Sequence, residues 1–160
     1  MSREQFIQWV EQEQESLRRF LLALCGGNRE EADDIAQEAL VKAYLSLSAY
    51  REEGKFASWL YKIAHHTFLD RKKTERDTGS LDEVAAVSDA SFAADRSFLY
   101  QDLYAAIASL PLKERTAILL FYLKGYSVQE ISQIVDCSTD AVKKQLSRGR
   151  EQLKLKMKRE

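Results

Sequence analysis

The 160-residue chain carries 24 basic and 25 acidic residues, one proline, six glycines and two cysteines, and 45% of it is hydrophobic. That balance suits one compact helical domain or two small ones and excludes collagenous, disulfide-stapled and largely disordered chains. No apolar run reaches the roughly 18 residues of a membrane span, and Met1 to Glu15 is polar and acidic, so neither a span nor a secretory signal is expected and the cytoplasm is the expected location. Cys25 and Cys137 lie far apart and outside any C-x-x-C pair, which predicts reduced, partly buried thiols rather than zinc ligands.

Apolar residues recur at helical spacing from the start: Phe6, Trp9 and Val10, then Leu17, Phe20, Leu21 and Leu24. Gly26-Gly27 ends this stretch, and Asn28 followed by Glu31 reads as an N-cap with a capping-box partner. In the helix from Glu31 to Ser48 the core face is Ile35, Ala36, Ala39, Ala43 and Leu47. Val41 and Leu45 fall on the far side among Asp34 and Glu38. A purely solvated face has no use for two central aliphatic residues, so this face is expected to dock a large partner. Tyr50 to Gly54 breaks the pattern, and Phe56, Trp59, Leu60, Ile63 and Ala64 resume it, with Trp59 at core spacing. Three or four helices are predicted in the first 75 residues.

From Thr74 to Ala94 the periodicity fades into Ser, Asp, Ala, Thr and Gly, the composition of a flexible linker with at most one short helical turn. A second helical block starts near Asp95 with Phe98, Leu99, Leu103, Ala106, Ile107 and Leu110. Pro111 then opens a helix carrying Ile118, Leu119, Phe121 and Tyr122. Next, Ser127 and Glu130 form an S-x-x-E capping box ahead of Val128, Ile131, Ile134 and Val135. After the turn at Asp136-Cys137, Ser138 caps a last helix with the seam Val142, Leu146, Gly149, Leu153 and Met157. This is a helix-turn-helix. Projection of its second helix turns Asp140, Lys144, Ser147 and Arg148 away from the seam, with Lys143 and Arg150 on the flank. The predicted fold is all-α: two small helical domains, 1–75 and 96–160, joined by a flexible linker over 76–95, the C-terminal one a helix-turn-helix.

Charge follows the same division. Residues 1–75 carry a net −2, 76–97 a net −3 and 98–160 a net +4. Within 143–159 eight basic side chains face a single acid, Glu151, which is the pattern of a polyanion-binding element.

Taken in order, "NREEADDIAQEALVKAYLSL", "FASWLYKIAHHTFLDRKK" and "LPLKERTAILLFYLKGYSVQEISQIVDCSTDAVKKQLSRGREQL" resemble the polymerase-binding helix, the promoter-melting helix and the C-terminal helix-turn-helix of the extracytoplasmic-function (group four) sigma factors. The resemblance covers nearly the whole chain. It implies a non-catalytic promoter-specificity subunit of bacterial RNA polymerase, with promoter DNA and core polymerase as partners, an anti-sigma factor as regulator that can hold it at the membrane, and no cofactor, metal or small-molecule substrate. It also implies that Asp34, Gln37, Glu38, Val41 and Leu45 face the clamp helices of the largest polymerase subunit. Capture of bases from an opening duplex requires aromatic faces and cations, and the resemblance assigns that work at the minus-ten element to Tyr50, Arg51, Lys55, Lys62, His65, His66, Arg71 and Lys72. Minus-thirty-five recognition in the major groove falls to the helix beginning at Thr139, through Thr139, Asp140, Lys143, Lys144, Ser147, Arg148 and Arg150.

The chain departs from the family pattern at His65-His66, where Arg-Asn is usual, at Ser132 and Asp136, where Ala and Gly are usual, and at Gln145, where Arg is common. Asp tolerates a left-handed turn, so the turn at Asp136 is expected to survive. A freestanding helix-turn-helix regulator is the alternative, but it needs a dimer interface and an effector domain, and the docking pattern of 31–48 argues against it. A nuclease built on His65, His66 and Asp70 lacks the carboxylate cluster of two-metal chemistry.

Overall fold

Local chemistry sets the helix ends. In the computed structural model, which describes residues 2–50, 56–77 and 98–158, the chain begins with α1 (Arg3–Leu24), started by a capping box between Ser2 and Gln5. Gly26 and Gly27 stop it with φ of 67° and 92°, a region that costs glycine nothing. Asn28 then caps α2 (Arg29–Leu45), its side chain accepting from the Glu31 N–H at 3.1 Å. The expected return bond does not form, because both Glu31 carboxylate oxygens accept from Lys72 Nζ at 3.1 Å. A 3-10 turn (Leu47–Ala49) follows, and α3 (Phe56–Asp77) completes the first block. Residues 51–55 and 78–97, which include Arg51, Lys55 and most of the expected linker, lie outside the described residues.

The second block runs α4 (Phe98–Ala108), α5 (Leu112–Ile118), a π-helical turn (Leu119–Leu123), α6 (Val128–Val135) and α7 (Thr139–Met157). The Ser127–Glu130 capping box forms with both reciprocal bonds, 3.1 and 2.9 Å. Asp136 occupies the left-handed turn at φ 56°, ψ 46°, and the Ser138 hydroxyl accepts from the Ala141 N–H to start α7. At Gly149 a Cβ would stand 2.7 Å from Ile118 Cγ1, so only glycine lets α7 lie this close to α5. The single helix expected after Pro111 is thus an α-helix that widens into a π turn, and Gly125, at φ 73°, ends it.

The two blocks are packed together. Leu17, Phe20, Leu21 and Leu24 of α1, Leu60, Tyr61 and Phe68 of α3, and Leu110, Leu119, Leu120 and Ile131 of the second block share one buried cluster. The rings of Tyr61 and Tyr126 meet at 5.8 Å across the junction, and Arg115, largely buried, donates to the Leu24 carbonyl at 2.7 Å and the Leu110 carbonyl at 3.1 Å. Lys124 reaches back over the Tyr61 ring to Ser16 and to Glu13 at 3.9 Å. Cys25 is buried and Cys137 half-buried, both as free thiols. No helix among the described residues is long and apolar enough to cross a membrane.

Candidate nucleic-acid interface

The helix-turn-helix presents its second helix as the sequence requires. Val142, Leu146 and Gly149 are buried on the seam, so the turns between them push Thr139, Asp140, Lys143, Lys144, Ser147 and Arg148 into solvent. No ion pair engages Lys143, Lys144 or Arg148 among the described residues, which leaves their donors available to phosphate or base edges. Arg150 is exposed but held: its Nε donates to the Tyr122 hydroxyl at 2.6 Å and its guanidinium lies 5.6 Å from the Phe121 and Tyr122 rings. That contact fixes the flank of α7 against the π turn.

On α2 the division between faces is sharp. Ala32, Ile35, Ala36, Ala39 and Ala43 are buried, while Asp34, Gln37 and Glu38 are exposed beside Val41 (58%) and Leu45 (75%). Glu38 pairs with Lys42 at 3.1 Å and Asp34 approaches Arg71 at 4.0 Å. Tyr44, 45% exposed and tilted against Phe6 at 5.7 Å, belongs to the same outward surface. The sequence projection does not include Tyr44 on this face, although it directly precedes Leu45 and lies three residues after Val41.

The expected minus-ten residues are dispersed among different partners. Tyr50 stands in an aromatic cluster, 5.0 Å from Trp59 and 6.1 Å from Phe56, itself 5.0 Å from Trp9; Trp59 is half-buried there, as its spacing predicts. Lys72 lies 5.4 Å from the Phe68 ring and pairs with Glu31 and, at 3.5 Å, with Glu75. Lys62 and His66 both turn toward the second block: Lys62 Nζ is 3.3 Å from Asp136 Oδ1 and His66 Nε2 is 2.9 Å from Asp136 Oδ2. Burial alone would raise the Asp136 carboxyl, but the hydrogen bonds and charges of Lys62 and His66 hold it below the ordinary carboxylate range.

His65, expected on the DNA-reading surface, is only 6% exposed in this arrangement, and its Nδ1 has no hydrogen-bond partner. Burial, aided by the neighbouring His66 and opposed by Asp136, pushes its pKa down to about 4, so it is neutral at pH 7. The signal was present in the sequence: Tyr61, Ala64, His65 and Phe68 follow the i, i+3, i+4, i+7 spacing of one buried face. Across the described residues, no group of three or more His, Cys, Asp or Glu side chains is placed to hold a metal ion.

These surfaces coincide with known sequence families. Residues 9–78 match Sigma-70 region 2 and residues 100–153 match Sigma-70, region 4. The chain is 35% identical over 142 residues to the ECF RNA polymerase sigma factor SigW of Bacillus subtilis (strain 168), covering 80% of this chain and 76% of that protein. It is 33% identical over 132 residues to the ECF RNA polymerase sigma-E factor of Escherichia coli (strain K12), covering 74% and 69%. Its fold superposes with a TM-score of 0.83 on the sigma factor RpoE of Bartonella quintana, solved in complex with the anti-sigma factor NepR, at 26% identity and over 97% of this chain and 98% of that one. An acidic-apolar helix face, a basic helix-turn-helix and these matches in the same order along the chain lead to one conclusion: the protein belongs to the ECF RNA polymerase sigma factors of the sigma-70 family and serves as a sigma subunit in transcription initiation.

Proposed function

We propose that the α2 face carrying Asp34, Gln37, Glu38, Val41 and Leu45 docks on the clamp helices of the largest polymerase subunit, and that this docking delivers two DNA-reading surfaces to a promoter. The single observation that carries the reading is the exposure of Val41 and Leu45 on a helix whose opposite face is fully buried. Apolar atoms of that kind supply affinity when covered, while the flanking carboxylates set register and exclude wrong partners. Tyr44 joins this surface.

In the reading we propose, residues 1–75 act at the minus-ten element and 96–160 at the minus-thirty-five element. Lys62, Arg71 and Lys72 supply cations and His66 a ring N–H along α3 for the melted strand, together with Tyr50, Arg51 and Lys55 ahead of it. His65 supports that helix from its buried face. In α7, Arg148 and Lys144 read base edges in the major groove, Thr139, Asp140, Lys143 and Ser147 border them, and Arg150 contacts the backbone from the flank. The protein catalyses nothing itself, works in the cytoplasm and is regulated by an anti-sigma factor. Residues 31–48 favour this reading over a freestanding regulator. Pull-down of core polymerase followed by run-off transcription on promoter fragments tests it: capture of core and specific run-off products are expected, whereas DNA binding without capture of core would sink it.

A further inference from the structure

Two positions at which this chain departs from the family pattern meet in space. His66 stands in the His65-His66 pair, where the resemblance implies Arg-Asn, and Asp136 stands in the helix-turn-helix turn, where the resemblance implies Gly; their side chains are 2.9 Å apart across 70 residues of sequence. Lys62, one helical turn before His66, grips the other oxygen of the same carboxylate at 3.3 Å. A glycine at position 136 would offer α3 no acceptor. Asp136 therefore supplies what the left-handed turn alone does not need.

The contact joins the helix assigned to the minus-ten element to the turn that precedes the minus-thirty-five helix. Along B-DNA, elements about 25 base pairs apart are separated by about 85 Å at ~3.4 Å per base pair. A compact chain of this length has a radius of gyration of only about 15 Å. With α3 side chains 2.9 and 3.3 Å from the turn that precedes α7, the two helices cannot engage both elements at once, so the closed arrangement must open before the promoter is bound. The same closed arrangement superposes end to end on a sigma factor crystallised with its anti-sigma factor.

We propose that Asp136 is the catch of an autoinhibitory latch, in which its carboxylate binds Lys62 and His66 in place of promoter DNA and holds the free sigma factor closed. This inference rests on the reading of α3 and α7 as promoter-reading helices. Lys62, His66 and Asp136 are each about half-exposed, with side-chain accessibilities of 43%, 45% and 55%. Ion pairs at such sites are weak and screened by salt, which suits a catch that must release. Tyr61, Tyr126, Arg115 and Lys124 form the seam on which it closes.

The test uses the full chain. Spin labels at Thr74→Cys on α3 and Gln133→Cys on α6, in a Cys137→Ser background, report the separation of the two blocks by double electron–electron resonance. Asp136→Asn keeps a residue that tolerates the left-handed turn while removing the charge, and Asp136→Gly restores the residue easiest to hold there. Both are expected to raise the long-distance population about twofold to fivefold, the range of an exposed ion pair. Salt is expected to open the wild type but to leave the variants nearly unchanged. Affinity of the free chain for a duplex bearing both promoter elements should rise by the same factor. Unchanged distances in both variants would overturn the latch whatever the DNA does. Opening without any gain in promoter affinity would instead overturn inhibition and show that the assignment of α3 and α7 to the two elements is what failed.

Discussion

The outward faces of α2 and α3 are in opposite states. On α2, Val41 and Leu45 lie uncovered in the same arrangement that packs the two blocks together, so nothing within the described chain uses them. On α3, Lys62 and His66 are spent on Asp136 and His65 is buried beneath them. An apolar patch left open while a cationic patch is closed implies an order of events. On the reading proposed above, polymerase docking is open to the closed chain, and DNA reading follows only once α3 is released.

The largest expected effect breaks the comparison from the α3 side. The pKa of His65 is about 4 in the folded state and 6.5 in its absence, so the unfolded chain binds the proton first as pH falls. Stability is therefore full above about 6.5 and is lost down to about 4, by about 3 kcal/mol over that window. Chemical denaturation at several pH values should show this slope in the wild type, and His65→Leu should flatten it. An identical slope in the variant would place the titrating group elsewhere, while core binding through α2 should persist as long as the chain stays folded.

From the α2 side, Leu45→Lys should lower core-polymerase affinity by about 1 to 3 kcal/mol, the cost of losing an interface hot spot, while its melting temperature stays within a degree or two of the wild type. Unfolding of the variant would mean that Leu45 supports the fold and that α2 has no free face. A smaller effect checks the second block: Ser127→Ala removes the reciprocal cap of α6 and should destabilise the chain by about 1 kcal/mol in a thermal melt. The smallest concerns DNA alone. Lys154→Ala should weaken specific and scrambled duplexes alike and reduce the log-log salt slope by about 0.9, whereas Arg148→Ala should penalise the specific duplex selectively. Equal losses on both duplexes for Arg148→Ala would make it a backbone contact and pass base reading to Lys144 or Ser147.

Much of the molecule was legible locally. A capping box needs only residues three apart, which is why Ser127 with Glu130 and the Ser138 cap formed where the spacing put them. The two faces of α2 follow from 3.6-residue periodicity, and the seam of α7 was visible for the same reason through Val142, Leu146, Gly149 and half-buried Leu153, whereas Met157, expected on it, is exposed where the helix runs past its packing partners. The half-formed box at Asn28 marks the limit of that logic, because Glu31 had a better partner in Lys72, 41 residues away. The seven candidate residues of α7 came through as exposed; the minus-ten set did not emerge as one surface, since Tyr50, His65 and Lys72 answer to neighbours on other turns and helices.

The sequence by itself determined the helical class, the helix ends, the outward acidic-apolar face of α2 and the basic face of α7, because each depends on groups within a turn or two of one another. Only the tertiary structure decided that the two blocks share a core, that the Pro111 helix relaxes into a π turn, and that Asp136 accepts from Lys62 and His66. Those outcomes depend on which distant surfaces exclude water together and which charges are then left facing each other. No local periodicity encodes that choice, since a lysine, a histidine and an aspartate at sequence separations of 70 or more look like solvated residues until the chain brings them within 3.3 Å.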